Sequence, residues 1–142
     1  MRTPLLGALC LTAVMAPAHA ADVSPGLWEI TMETRVAAEP GFAPAPYKTS
    51  QCLTMEDARD PGRLLGQIAN PGASGCEYTD RGYSGSTFSF AMRCAGSFGI
   101  ESRGSVSYTA DSMEGTITAT ANAGGGVIET QSKVSGRRIG GC

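Results

Sequence analysis

The chain has 142 residues, with 11 Lys and Arg against 13 Asp and Glu, for a formal net charge of −2. A balance so close to neutral gives no reason to expect nucleic acid or an anionic membrane surface as partner, and the length suits a single domain. One histidine and five cysteines complete the inventory of chemistry-bearing residues, and their positions exclude more than their number does.

Residues 1–20 read as a secretory signal peptide. Arg2 opens it, an apolar stretch runs from Leu5 to Met15, and Ala18-His19-Ala20 is a small-x-small cleavage site. Cleavage after Ala20 and a periplasmic destination are expected. The apolar stretch falls short of the roughly 20 residues that span a bilayer, and no second one follows, so no membrane span is expected. Cys10 lies behind Leu9, where lipid attachment needs a small residue. Without Arg2 the 11 basic residues become 10 against 13 acidic, and the mature chain, residues 21–142, contains no histidine. Ser-His-Asp and Cys-His machinery and His-ligated metal sites are thereby excluded from it.

The mature chain is expected to form one β-rich domain. Residues 26–36 alternate, with Trp28, Ile30, Met32, Thr34 and Val36 on one face and Glu29, Thr31, Glu33 and Arg35 on the other, the pattern of a half-buried antiparallel strand. Residues 39–46 contain three prolines and read as a loop into a short strand at 47–52. Thr54 with Asp57 three positions on forms a capping box that opens a short helix. Pro61-Gly62 interrupts this helix, and residues 63–69 add a further turn. Residues 70–75 read as loop. A hairpin centred on Gly85 then joins two strands, followed by strands at 100–109, with Val106 and Tyr108 inward, and 113–121, with Ile117, Ala119 and Ala121 inward. Gly124-Gly125-Gly126 turns the chain into a last strand at 127–135, where Ile128, Thr130, Ser132 and Val134 share a face. About seven strands and one short helix predict a curved antiparallel meander sheet or partly closed β-barrel.

Cys10 leaves with the signal, so Cys52, Cys76, Cys94 and Cys142 remain, and an even number in an exported chain reads as two disulfides. No two are close enough for a CxxC redox pair or a four-thiolate zinc site. The hairpin puts Cys76 opposite Cys94, Tyr78 opposite Met92 and Asp80 opposite Phe90, with Cys94 on the inward face shared by Phe88, Phe90 and Met92. This favours Cys76 with Cys94 and leaves Cys52 for Cys142. A one-residue register shift would instead allow Cys52 with Cys76 and Cys94 with Cys142.

The remaining motifs have plain structural explanations. Gly124–Gly126 precedes a strand and Val127, where a phosphate cradle would precede a helix and a Lys, so a hairpin turn is expected. Arg137 and Arg138 read as solvated or salt-bridged side chains in a tail tied by Cys142. Glu56, Asp57 and Asp60 lack calcium-loop spacing and complement a helix dipole. Glu29, Glu33, Glu77, Glu101, Glu114 and Glu129 fall mostly at outward strand positions, which leaves a carboxylate-dependent hydrolase as the weakest reading.

Pro25-Gly26-Leu27-Trp28-Glu29-Ile30 near the start, Gln51-Cys52-Leu53-Thr54 before an acidic helix, Cys76 and Cys94 around a Ser-Gly turn, and the ending from Gly136 to Cys142 occur in a distinctive order. Together they resemble the bacterial domain-of-unknown-function 3617 family, exported proteins of about this size. The tail departs from that pattern at Gly141, where the resemblance implies an acidic or amide residue. It transfers no activity and no catalytic residue. The expectation is a non-enzymatic binding or accessory protein of the cell envelope, without cofactor or metal, whose partner is another envelope protein. The alternative is a carrier of a small apolar ligand or lipid in a half-open barrel, with Trp28, Ile30, Phe88, Phe90, Met92, Val106, Tyr108 and Ile117 as lining candidates.

Overall fold

A computed structural model describes residues 22–70, 73–96 and 98–142; the expected signal peptide, with His19 and Cys10, lies outside the described residues. The elements in chain order are β1 (Gly26–Val36), β2 (Tyr47–Leu53), α1 (Met55–Arg59), α2 (Gly62–Ile68), β3 (Ser74–Ser84), β4 (Thr87–Ala95), β5 (Glu101–Tyr108), β6 (Ser112–Ala123) and β7 (Gly126–Gly140). All seven strands form one antiparallel sheet in the order β2-β1-β7-β6-β5-β4-β3, curled into a half-barrel. The expected meander runs from β3 to β7, and β1 closes onto β7.

Period-2 alternation decides the two faces. Trp28, Ile30 and Met32 of β1 are buried while Glu29 and Thr31 are half-covered and Glu33 is exposed. Phe88, Phe90, Met92 and Cys94 of β4 continue the buried face. From β5, β6 and β7 come Val106, Tyr108, Met113, Ile117 and Val134. The inner face is the core side, and α1 and α2 lie over part of it, contributing Leu65, Ile68 and Ala69 to the same cluster.

The single interrupted helix of the sequence reading resolves into two. Thr54 caps α1 with the expected box: the Asp57 amide donates to Thr54 Oγ1 at 3.1 Å, and the Thr54 amide donates to Asp57 Oδ2 at 3.0 Å. Pro61 then starts α2, whose first residue is Gly62. β7 extends five residues beyond the expected end, to Gly140, because Arg137 and Arg138 pair with Glu29 and Trp28 of β1. Arg137 sits 3.6 Å from Glu29 as an exposed ion pair, and Arg138 Nε donates to the Pro25 carbonyl at 2.7 Å.

The β3–β4 hairpin departs from the expected register in an instructive way. Cys76 pairs with Cys94 and Tyr78 with Met92, but Asp80 pairs with Ala91, not Phe90, and Arg81 takes the place opposite Phe90. The turn comprises the two residues Gly85-Ser86 between paired Ser84 and Thr87, with Gly85 at φ 58° and Ser86 at negative φ, the II′ arrangement. That turn is centred half a residue later than Gly85. A β-bulge at Thr79 absorbs the difference, so the register at the cysteines is restored. At the β6–β7 hairpin, Gly124 (φ 59°) and Gly125 (φ 82°) both occupy the left-handed region, as a I′ turn requires.

Two disulfides fasten the fold. Cys76 is bonded to Cys94 across neighbouring strands, and Cys52 near the end of β2 is bonded to Cys142 beyond β7. No helix among the described residues is long and apolar enough to cross a membrane.

Candidate functional site

The inner face has a covered part and an open part. All eight residues considered as ligand lining are buried: Trp28, Ile30, Phe88, Phe90, Met92, Val106, Tyr108 and Ile117 are each at most 5% exposed and share one core cluster with Leu65, Ile68 and Ala69. Most of them are core. Phe88 and Phe90 stack with centroids 5.8 Å apart, and Tyr78 meets both edge-on at 5.8 Å. Trp28 Nε1 is satisfied by the Ser24 carbonyl at 3.0 Å.

The helices are held down by a polar latch. Because of the bulge at Thr79, an even-numbered and two odd-numbered residues of β3, namely Tyr78, Arg81 and Tyr83, all reach the helix side. Arg81 Nη2 donates to both carboxylate oxygens of Asp60 at 2.5 and 2.7 Å, and its guanidinium lies 5.0 Å above the Tyr78 ring. Tyr83 donates its hydroxyl proton to Asp60 at 2.8 Å while accepting the Gly62 amide at 2.8 Å. The Tyr78 hydroxyl donates to the Gly62 carbonyl. Burial pushes the Tyr78 phenol up to about 12 and raises Tyr83 further in the same direction. Both therefore stay protonated donors at any physiological pH. Tyr108 is raised by burial as well, and its hydroxyl is enclosed without a partner among the described residues.

The open part lies where α2 ends, at Ala69 and Asn70. There a cavity of about 190 Å³ is walled by Met32 and Thr34 of β1, Ile100 just before β5, Ile117, Ala119 and Ala121 of β6, and Ile128, Thr130 and Ser132 of β7. Of the eight lining candidates, Ile117 alone reaches it. Small side chains on β6 leave the space, and the helix cover stops short of it. Ile128 shares the inward face as expected but is 41% exposed, since none of the described residues covers that end of β7. Polar groups are set into this wall: Thr34 and Ser132 share a hydroxyl hydrogen bond at 2.9 Å, and Asn70 is held by donating from Nδ2 to the buried Ser102 Oγ at 3.0 Å. An apolar cavity of about 150 Å³ accommodates a benzene molecule, so this one suits a ring or a short alkyl chain, with hydroxyl and amide groups at hand for a polar end.

Two wider depressions, of about 340 and 440 Å³, lie on the outer face between threonines and charged side chains such as Arg93, Glu101 and Arg103 in one and Glu33, Arg35 and Lys133 in the other. Their charges are set among opposite charges, as in the 2.9 Å pair of Arg93 with Glu101, so neither depression offers a field of one sign. The acidic cluster of the sequence is divided among separate tasks. Glu56 meets Arg63 at 3.3 Å, Asp57 caps α1, and Asp60 belongs to the latch. Among the described residues no three His, Cys, Asp or Glu side chains are grouped as a metal would need.

Sequence reasoning missed Asn70, Thr34 and Ser132 as cavity groups and Asp60, Arg81 and Tyr83 as a latch. The first set lies on positions read as loop or as neutral strand filler. The second is assembled by a bulge that no residue type announces. No curated protein and no solved structure matches the chain. The model of one family does match, over residues 23–142, nearly the whole described length. The chain belongs to that family, whose description is protein of unknown function DUF3617.

Proposed function

We propose that this is an exported, non-catalytic binding protein of the cell envelope that holds a small apolar ligand in the open part of its half-barrel. The observation that carries this reading is the open cavity beyond the end of α2, where Met32 and Ile117 form a buried floor, Ala119 and Ala121 are half-buried and Ile128 is exposed. Exposed apolar surface of this kind costs free energy in water and is kept where something binds. Export rests on the features of residues 1–20. A binding role without catalysis is supported by a mature chain lacking histidine, by four cysteines engaged in disulfides, and by the division of the Glu56, Asp57 and Asp60 cluster among an ion pair, a cap and the latch. The Thr34–Ser132 and Asn70–Ser102 pairs would orient the ligand's polar end.

The test is organic extraction and mass spectrometry of protein purified from the native periplasm, together with titration of a fluorescent short-chain fatty acid. A co-purifying apolar compound and saturable probe binding are expected. Ala119→Trp, which fills the cavity, should abolish probe binding. Absence of both compound and saturation, or undiminished binding by A119W, would refute the reading.

A further inference from the structure

Strand directions bring to one end of the half-barrel, among others, residues 37–46 between β1 and β2, Gly96 and 98–100 between β4 and β5, and the β6–β7 hairpin at 122–128. They touch one another there. The Ala37 amide donates to the Glu129 carbonyl at 2.9 Å, and the Asn122 amide to the Phe98 carbonyl at 2.7 Å. Phe42, Phe98, Val127 and Ile128 stand out from these loops, with exposures of 53, 58, 69 and 41%. Across all three segments the sequence has a single charged residue, Glu39. The opposite end is different in kind: residues 54–63 alone carry Glu56, Asp57, Arg59, Asp60 and Arg63. The cavity opens at the uncharged end, with Ile128 and Ile100 in its wall.

We infer that this rim docks on the surface of a lipid bilayer, an inference that rests on the apolar-ligand reading of the cavity. Three features select a bilayer over a rigid protein surface. The apolar groups are spread over three glycine-containing segments, Phe42 on one, Phe98 on another and the adjacent Val127 and Ile128 on the third, a geometry suited to insertion into a soft interface. The rim has almost no charge, and the chain as a whole is slightly acidic, so no attraction to anionic headgroups is built in and partitioning depends on apolar area. The cavity also opens within the rim, so an alkyl chain leaving the bilayer reaches Ile128 and Ala121 without crossing water.

The experiment is flotation of the purified protein with phosphatidylcholine vesicles at low and high salt, beside titration of the fluorescent fatty acid in vesicle-free solution. The protein should float equally at both salt concentrations. Triple substitution F42S/F98S/V127S, which leaves the cavity wall intact, should weaken vesicle binding at least about tenfold with solution probe binding unchanged. M55S/I139S removes exposed apolar groups outside the rim and should float as the parent does. Val127→Asp alone, at the most exposed position, serves if the triple variant fails to fold. A parent that stays with the soluble fraction, or a rim variant that floats undiminished, would overturn the docking. So would a concentration-dependent dimer abolished by the rim substitutions, which would make the rim a contact between copies. Loss of flotation with intact probe binding removes the docking alone. Absent probe binding with intact flotation removes the cavity reading alone.

Discussion

Gly62 is the tightest point between the helices and the sheet, and replacing it by alanine tests how the cover is seated. A Cβ at this position would lie 2.6 Å from Phe88 Cε2 and Cζ and 2.9 Å from Cδ2, about 1 Å inside ordinary carbon contact. The Phe88 ring is fully buried and wedged between Phe90 and Tyr83, with centroids at 5.8 and 4.8 Å, so it has nowhere to turn. α2 must lift, which strains the Gly62 bonds to Tyr83 and Tyr78. Overpacking of this sort costs about 1–3 kcal/mol. Against it, Gly62 does not occupy the left-handed region, so alanine restricts the unfolded chain and returns about 0.4–1 kcal/mol. The net expectation for G62A is a loss of about 1–2 kcal/mol, or roughly 4–8 °C in Tm for a domain of this size. The assay is urea unfolding followed by the fluorescence of Trp28. The decisive comparison is made in F88L, which makes room and by itself costs about 1.5 kcal/mol. There the steric part vanishes and G62A should be neutral or stabilising by up to about 1 kcal/mol. An equal loss from G62A in both backgrounds would refute the argument that Phe88 is what the glycine accommodates.

Three further outcomes are expected. Removing the Cys52–Cys142 bond, which spans 90 residues, should cost about 4.6 kcal/mol in the chain-entropy picture, against an entropic part of about 3 kcal/mol for Cys76–Cys94, which spans 18. Guanidinium melts of the paired Cys→Ala variants in the reverse order would contradict this. The Thr54 hydroxyl and amide hold the Asp57 carboxyl below its usual range. A depressed folded-state value stabilises above the unfolded one and is lost as pH falls through it, so the gap between parent and D57N should shrink below about pH 4, as melting curves across the acid range would show. Tyr78, raised by burial to about 12, resists ionisation when folded while the unfolded phenol ionises near pH 10. Stability should therefore fall between about pH 10 and 12, and Y78F should fall less steeply over that range; identical slopes would remove Tyr78 from the alkaline transition.

Alternation along β1 and β4 was enough to place the core, because an antiparallel sheet with one face in water must put apolar side chains at every second position. The capping box at Thr54 was equally legible, since both partners lie within four residues. The cavity was not. Alternation tells which face a residue joins, but whether that face is covered depends on the path of the chain from Leu53 across the sheet to Ser74, a tertiary matter. The lining residues named from sequence were accordingly the largest inward ones, and these are buried in the core cluster that Leu65 and Ile68 of α2 complete. The actual cavity lies beside smaller ones, Ala119 and Ala121. The hairpin register was correct at Cys76 and Tyr78 through two offsets that cancel, the later turn and the bulge at Thr79. Past the bulge it failed, and with it went sight of Arg81 as a helix-facing residue.

The pairing of β1 with β7 has a kinetic consequence. β3 to β7 is built of hairpins between sequence neighbours, and β1 and β2 form another, so both units can form from local contacts. The seam between them joins residues such as Thr34 and Ser132, 98 positions apart. Contacts so remote in sequence are slow to find, and β1 has no β7 to receive it until residues 126–140 exist. The half-barrel therefore stays unclosed until β7 has been made. Trp28, the sole tryptophan, sits in β1 beside that seam, so its emission times the final closure of the fold apart from the earlier assembly of the meander.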